Sequence, residues 1–363
     1  MEQKLVSDLQ IKRLGRQLEH NNITYLTYSG SELGFTYDGN KIIFDITSLP
    51  DYCHEADFQA WLAVFVGNNE EPWLRFPITA TEAEYTVFDR EKYANDMNIN
   101  VCDLPKDISI RVVKLSETAF GTVGIKYVLS DDNSTFKPLP YKEKKLLFFG
   151  DSITCGYGVE GRLNVDTFTT AQENVLKAYA VQTARLLDAD YHLVSWSGIG
   201  IITDFIPEEA DEKDTTILAG QIYPCTDYML CKRLGIDAKI WNVSEYNPDA
   251  IVVYLGTNDA SYTKSISERE ADYMTEYANY IKNIRKDYPS KPIFCCAGIQ
   301  EQSLNNTIRN AVGLLKNDVD DNFYFVEFDA QTEQDGIGTD NHPSPVSHKK
   351  AAIRLSEAIK AIL

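Results

Sequence analysis

The chain has 363 residues, with 35 Lys and Arg against 54 Asp and Glu and a formal net charge of −19. A surface this acidic repels phosphate backbones and anionic lipid, so no nucleic acid and no membrane is expected as a partner, while small neutral substrates stay open. Hydrophobic residues make up 44%, enough for a sizeable core, and the length predicts two domains.

The N-terminal stretch from Met1 to His20 mixes both charges and has no apolar segment, so a secretory leader is not expected. Seven cysteines, an odd number without a CxxC pair, read as free thiols. Together these predict a cytoplasmic protein. No run approaches the ~18 apolar residues of a membrane span.

From about residue 35 the chain is rich in short β-like runs. Asp38-Gly39 before Lys41 to Ile46 is a hairpin signal. Further strands are expected at Trp61 to Val66, Glu84 to Phe88, Ser109 to Val113 and Gly124 to Leu129. Short strands with turn signals and no long helical period predict a β-sandwich of jelly-roll type over residues 1–130. Trp61 and Trp73 are expected in its packing. Residues 131–143 carry turn formers and two prolines and read as a linker.

After residue 144 strands and helices alternate. The apolar run Lys145 to Phe149 has the texture of a buried parallel strand. A helix is expected over Glu173 to Leu187, then strands at Tyr191 to Val194 and Ala250 to Leu255. Ser267 to Glu270 reads as a capping box, and the following helix places Met274, Tyr277, Ile281 and Ile284 on one face. Strands at Pro292 to Cys296 and Tyr324 to Val326 follow, then a last helix with Ala352, Leu355, Ile359 and Ile362 inward. This alternation predicts a three-layer α/β/α domain with a parallel sheet over residues 144–363.

Ligands in such sheets bind at the carboxyl ends of the strands. There the sequence offers Gly150-Asp151-Ser152-Ile153-Thr154, then Ser195-Trp196-Ser197-Gly198-Ile199-Gly200, then Gly256-Thr257-Asn258-Asp259, and finally Asp340-Asn341-His342-Pro343-Ser344. A hydroxyl, glycine N–H groups, an amide and an Asp/His pair at one rim are the parts of acyl transfer. Serine needs a base to take its proton, imidazole titrates near neutrality, and a developing oxyanion needs fixed donors.

These four blocks, in this order, resemble the signature blocks of the SGNH (GDSL-type) hydrolases. The β-rich front domain and the Asp-x-His-Pro-Ser form are similar to carbohydrate esterase family 2, whose members remove acetyl groups from xylan and mannan, usually at primary 6-O positions. The resemblance implies Ser152 as nucleophile and His342 as general base and acid. It implies Asp340 as the group that orients His342. The Ser152 N–H, Gly198 and Asn258 would form the oxyanion hole, with Gly198 favoured over Gly200 because it directly follows Ser197. The superfamily usually sets the carboxylate three residues before the histidine, and here the gap is two. Some family 2 esterases use a backbone carbonyl instead, so both ways of orienting the ring remain open.

Tyr157 and Trp196 flank these blocks and are candidate sugar contacts. Asp259 is expected to hold the loop after its strand, Cys155 to pack, His348 to be a solvated helix residue, His192 a core or face residue, and His20 and His54 to lie on the surface. Gly156 to Gly161 spells GxGxxG but does not directly follow its strand, so a dinucleotide site is not expected. No metal and no organic cofactor is expected. The expected activity is O-deacetylation of acetylated plant-type oligosaccharides, with an acetylated saccharide as the small-molecule partner. Rival readings are a lipase-like or thioester hydrolase, favoured by an apolar trough beside Ser152, and a carbohydrate-binding protein without turnover.

Overall fold

The computed structural model describes residues 1–49 and 57–363. His54 and Cys53 lie outside the described residues. The chain divides into two compact units, Met1–Tyr141 and Lys142–Leu363.

The first unit contains two antiparallel sheets that share one apolar core, as the sandwich expectation required. The strand Lys41–Thr47 alternates half-buried and buried residues along its length, with Ile42, Phe44 and Ile46 turned into that core. The Asp38-Gly39 turn does not close a hairpin. Glu32–Tyr37 pairs with Ile108–Lys114, whereas Lys41–Thr47 pairs with Val123–Ser130 and Glu82–Asp89 in the other sheet. The turn therefore carries the chain across the core, and the Asp131 carboxylate receives its Lys41 N–H at 3.2 Å. Residues before 35 add short strands that their mixed charge concealed, among them Gln17–His20 and Ile23–Leu26. The expected linker is a second correction. Phe136–Pro138 forms a strand against Glu32–Tyr37, where Phe136 packs against Phe35 and Tyr37. Trp73 lies edge-on to Phe88 and Tyr93.

The second unit is built on five parallel strands: β1 (Lys144–Gly150), β2 (Ala189–Ser195), β3 (Ala250–Tyr254), β4 (Ile293–Ala297) and β5 (Phe323–Glu327). Their order is β2-β1-β3-β4-β5. Every residue of β2, β3 and β4 is buried, which requires cover on both faces. Helices α1 (Tyr179–Leu186) and α4 (Pro345–Lys360) pack on one another, as do α2 (Ser267–Asp287) and α3 (Asn305–Asp318). The strand order reverses direction between β1 and β3, and a crevice opens there at the carboxyl ends.

Several helical details differ from expectation. α1 begins at Tyr179 because Asn174 caps a separate 3-10 turn, Val175–Lys177, and Ala178 is extended. No capping box forms at Ser267, since the N-cap position falls on Ile266. The buried face of α2 centres on Tyr273, Tyr277, Ile281 and Ile284, with Met274 half-buried. α4 ends at Lys360, which leaves Ile362 exposed while Ala352, Leu355 and Ile359 stay in the core. His348 is fully buried, and its Nδ1 accepts the Tyr179 N–H at 3.0 Å. That bond joins α4 to the start of α1 and explains why the histidine is not solvated. His192 is buried and stacks on Tyr246, with ring centroids 3.6 Å apart. His20 is half-buried beside Asn21. Among the described residues no helix is long and apolar enough to cross a membrane. The six described cysteines are free, and only Cys102 is exposed.

Candidate active site

β1 ends at Gly150, and the chain turns at once into the single helical turn Ser152–Cys155. Asp151 is its N-cap, accepting the Ile153 N–H at 3.0 Å. Ser152 therefore occupies the first helical position, where a backbone N–H has no partner within the helix. The serine is largely buried, at 6% exposure, and its Oγ lies 2.8 Å from His342 Nε2.

His342 arrives from the loop before α4. Ser344 caps that helix and Pro345 stands in its first turn, as their residue types predict. The imidazole Nδ1 lies 3.1 Å from the backbone carbonyl of Asp340. A carbonyl only accepts, so Nδ1 donates to it and Nε2 is left to accept from the serine hydroxyl. The Asp340 carboxylate does not touch the ring: its Oδ2 accepts the Tyr157 hydroxyl at 2.9 Å. Of the two groups left open to orient the ring, the Asp340 backbone carbonyl is the one that meets it. The cause is backbone conformation, because Asp340 has φ 51° and ψ 40°, which turns its carbonyl back toward the ring. Burial pushes the His342 imidazole down to about 4, against the opposing effect of its bond to that carbonyl.

Gly198 and Asn258, the candidate oxyanion donors, line the same cleft as Ser152 and His342. Gly198 has φ +85°, a left-handed conformation that favours glycine, and a Cβ there would stand 2.5 Å from Asp204 Oδ1. Asn258 donates one amide hydrogen to the Ile199 carbonyl at 2.8 Å, which leaves the second for the cleft. Asp259 accepts the N–H groups of Ile201 and Ile202 at 2.8 to 3.0 Å and so ties the Gly198 loop to the end of β3, the holding role expected of it. Burial pushes the Asp259 carboxyl up to about 6. Gly200 is buried behind the loop, its carbonyl taken by Ala219 N–H at 2.9 Å, and it does not line the cleft.

Ser152, Gly198, Asn258, Asp340 and His342 all line one cleft of about 640 Å3. Most of the residues that line it bear polar groups, among them Ser197, Thr257, Ser261, Gln300, Glu301 and Asn341, and two aromatic rings, Tyr157 and Phe205, face it as well. Tyr157 is thus at the cleft as expected, but its ring is already committed. It stacks on Phe168 at 3.6 Å and leans on the His342 imidazole at 4.4 Å. Trp196 is not at the cleft; it is buried beneath the loop, with Arg233 over its ring. Cys155 is buried, as expected of a packing residue.

Five wall residues escaped the sequence reading: Phe205, Ala260, Ser261, Gln300 and Glu301. Gln300 and Glu301 follow β4, and the same rule of strand ends would have found them. Ile299, between β4 and that pair, is buried with φ 61°, a strained conformation for a β-branched residue that turns the chain toward the cleft. Phe205 is 59% exposed on an irregular loop whose sequence gives no signal.

Residues 146–355 match the family model of the GDSL-like lipase/acylhydrolases. Cellulase/esterase CelE of Acetivibrio thermocellus is 36% identical over 229 residues, 62% of this chain and 26% of that protein, so the chain spans about a quarter of that relative's length. Acetylxylan esterase / glucomannan deacetylase of Cellvibrio japonicus is 24% identical over 98% of this chain and 90% of its own length. Among solved structures, a family two carbohydrate esterase from Clostridium thermocellum in complex with cellohexaose is 28% identical. It covers 96% of this chain and 98% of its own, with a TM-score of 0.79.

Proposed function

We propose, for a chain that belongs to the GDSL-like lipase/acylhydrolase family, that it is a serine esterase removing O-acetyl groups from neutral saccharides. The observation that carries this reading is the Ser152 Oγ to His342 Nε2 distance of 2.8 Å, in the cleft that Gly198 and Asn258 also line.

In the proposed reaction His342 Nε2 takes the hydroxyl proton as Ser152 Oγ attacks the acetyl carbonyl carbon. The carbonyl π pair moves onto oxygen, where the N–H groups of Ser152 and Gly198 and the Asn258 amide stabilise it. When the pair returns, the C–O bond to the sugar breaks, and His342 gives its proton to the departing sugar oxygen. Water then attacks the acetyl-enzyme with His342 again as base, and acetate leaves. Throughout, the Asp340 carbonyl holds the Nδ1 proton and so fixes the tautomer.

The many hydrogen-bonding side chains along the cleft, set beside the Tyr157 and Phe205 rings, support a sugar as the main occupant, since sugars present both hydroxyls and an apolar ring face. The finer reading is acetylated oligosaccharides of xylan or mannan type, with preference for a primary 6-O position, met as short chains in the cytoplasm. The names of the Cellvibrio japonicus relative support the polymer class. The test is time-resolved product analysis on acetylated manno- and xylo-oligosaccharides, with Ser152→Ala as the blank. Loss of acetate from 6-O positions first is expected. Equal or faster hydrolysis of long-chain acyl esters would overturn the saccharide assignment. Wild-type rates no higher than those of the Ser152→Ala blank, which is expected to lose about 10⁴-fold or more, would overturn the esterase assignment.

A further inference from the structure

We propose that Tyr157 is a positioning residue that sets the catalytic imidazole through Asp340, whose carboxylate acts on His342 by anchoring its own main chain and not by touching the ring. The proposal rests on the esterase reading and adds the device that replaces a direct carboxylate–imidazole bond.

The loop that delivers His342 is conformationally expensive. Asp340 and Asn341 both have positive φ, 51° and 63°, and neither is glycine. Such a pair persists only where surrounding contacts over-determine it. The Asp340 carbonyl that orients the ring is a direct product of that conformation, so whatever holds Asp340 also holds the imidazole.

The holding contacts converge from one dipeptide. The Gly158 carbonyl accepts the Thr339 N–H at 3.1 Å, and the neighbouring Tyr157 hydroxyl donates to Asp340 Oδ2 at 2.9 Å. Gly158 has φ +61°, and a Cβ there would stand 2.8 Å from the Thr339 carbonyl oxygen, so the two strands of chain meet as closely as backbone allows. The Tyr157 ring has little freedom to leave. It is nearly parallel to Phe168, at 8° and 3.6 Å, and it also packs against the imidazole at 4.4 Å. From the far side Gln331 Nε2 donates to the Asn341 carbonyl at 2.8 Å. Phe168 thus locks Tyr157, Tyr157 locks the Asp340 side chain, and that side chain fixes the carbonyl on Nδ1.

A carboxylate could instead help His342 by its charge alone, and the two accounts separate by substitution. Asp340→Asn keeps an acceptor for the tyrosine hydroxyl and removes the charge. Tyr157→Phe keeps the ring stack and removes the tether. The full chain is assayed on 4-nitrophenyl acetate with these two variants, Asp340→Ala, and the Tyr157→Phe/Asp340→Ala double variant. Asp340→Asn should lose clearly less kcat than Asp340→Ala. Tyr157→Phe and Asp340→Ala should each lower kcat about tenfold with KM within about twofold, the worth of one hydrogen bond. The double variant should be no worse than the poorer single one, as members of one chain of contacts behave. Asp340→Asn falling as far as Asp340→Ala, Tyr157→Phe matching wild type, or losses that multiply in the double variant would each overturn the proposal. Tyr157→Phe is nearly isosteric, so a folding failure elsewhere in the set does not blunt it. Activity in the wild type with none lost in Tyr157→Phe sinks the tether alone, whereas a wild type no faster than Ser152→Ala sinks the esterase reading beneath it.

Discussion

The two ends of the serine–histidine hydrogen bond are built by opposite means. Ser152 stands where a buried strand becomes a helical turn, over an Asp151 with no exposure, and regular backbone geometry fixes its position. His342 hangs from a loop with two left-handed residues, and groups from distant segments bond to that loop: the Tyr157 and Gln331 side chains and the Gly158 backbone carbonyl. One end is pre-organised by secondary structure and the other by tethers. The first is robust to side-chain change around it but obliges charge to be buried. The second leaves the carboxylate outside but depends on each tether.

The largest test concerns the proposed oxyanion donor on the loop beside Ser152. Gly198→Ala forces a left-handed alanine and pushes its Cβ against Asp204 Oδ1, so the loop must shift and the N–H must leave its aim. A loss of about 10²–10³-fold in kcat, with little change in KM, is expected if one oxyanion donor is removed. Gly200→Ala would distort the buried layer behind, where a Cβ meets the Thr203 carbonyl at 2.2 Å. It should therefore show first as lost stability. Comparing kcat and melting temperature for the pair separates donor from scaffold; a Gly198→Ala enzyme with unchanged kcat would remove Gly198 from the hole.

How far the sequence discloses these two ends follows from the same contrast. The regular end is legible because apolar runs mark β1 and β3 and the residues just beyond them fall at one rim by topology. Ser152 and Asn258 stand just past β1 and β3 and Gly198 just past β2, and their roles, with Gly198 chosen over Gly200, are read from the resemblance to the SGNH signature blocks. At the tethered end the residue types are legible, but the direction of a carbonyl is not, since it depends on φ at Asp340 and Asn341. Asp and Asn are the non-glycine residues that best tolerate that conformation, which in hindsight was the only local hint. Tyr157 was visible as an aromatic near the site, but its partner lies 183 positions away. Elsewhere the misses share one cause. The strand after Asp38-Gly39 is expected, at Lys41 to Ile46, but not Glu32–Tyr37 before it, and a turn signal alone does not say whether consecutive strands share a sheet. His348 looked solvated because helical periodicity cannot anticipate a bond to the Tyr179 N–H of another helix.

The tethered end makes its own prediction for pH. Burial lowers the His342 imidazole to about 4, and a general base works only in its neutral form. A lowered value extends that form to more acid solution. At pH 5 an imidazole at its ordinary 6.5 would be only about 3% neutral, whereas one near 4 is about 90% neutral. The acid limb of kcat/KM should therefore lie well below 6.5, with most activity kept at pH 5. A limb at 6.5 or above in a kcat/KM profile would mean that the working imidazole is solvated, and that the tethers do not hold it in the cleft wall.

The smallest effect is expected at the regular end, where it reports the cost of burying charge. Burial, opposed by the Ile153 N–H and reinforced by the nearby Asp259, pushes the Asp151 carboxyl up to about 7. The folded chain then holds a proton that the unfolded chain releases from about 3.8 upward. By linkage this lowers stability as pH rises from about 4 to about 7, and the loss is complete above that. Asp151→Asn keeps an oxygen for the Ile153 N–H and has no proton to lose. Its melting temperature, relative to wild type, should rise by about a few degrees between pH 4 and pH 8 and stay level beyond pH 7. A difference equal at both pH values would place the effect in packing rather than charge. It would also remove the contrast with the histidine end, where the one carboxylate, Asp340, is spared burial because its main chain does the orienting.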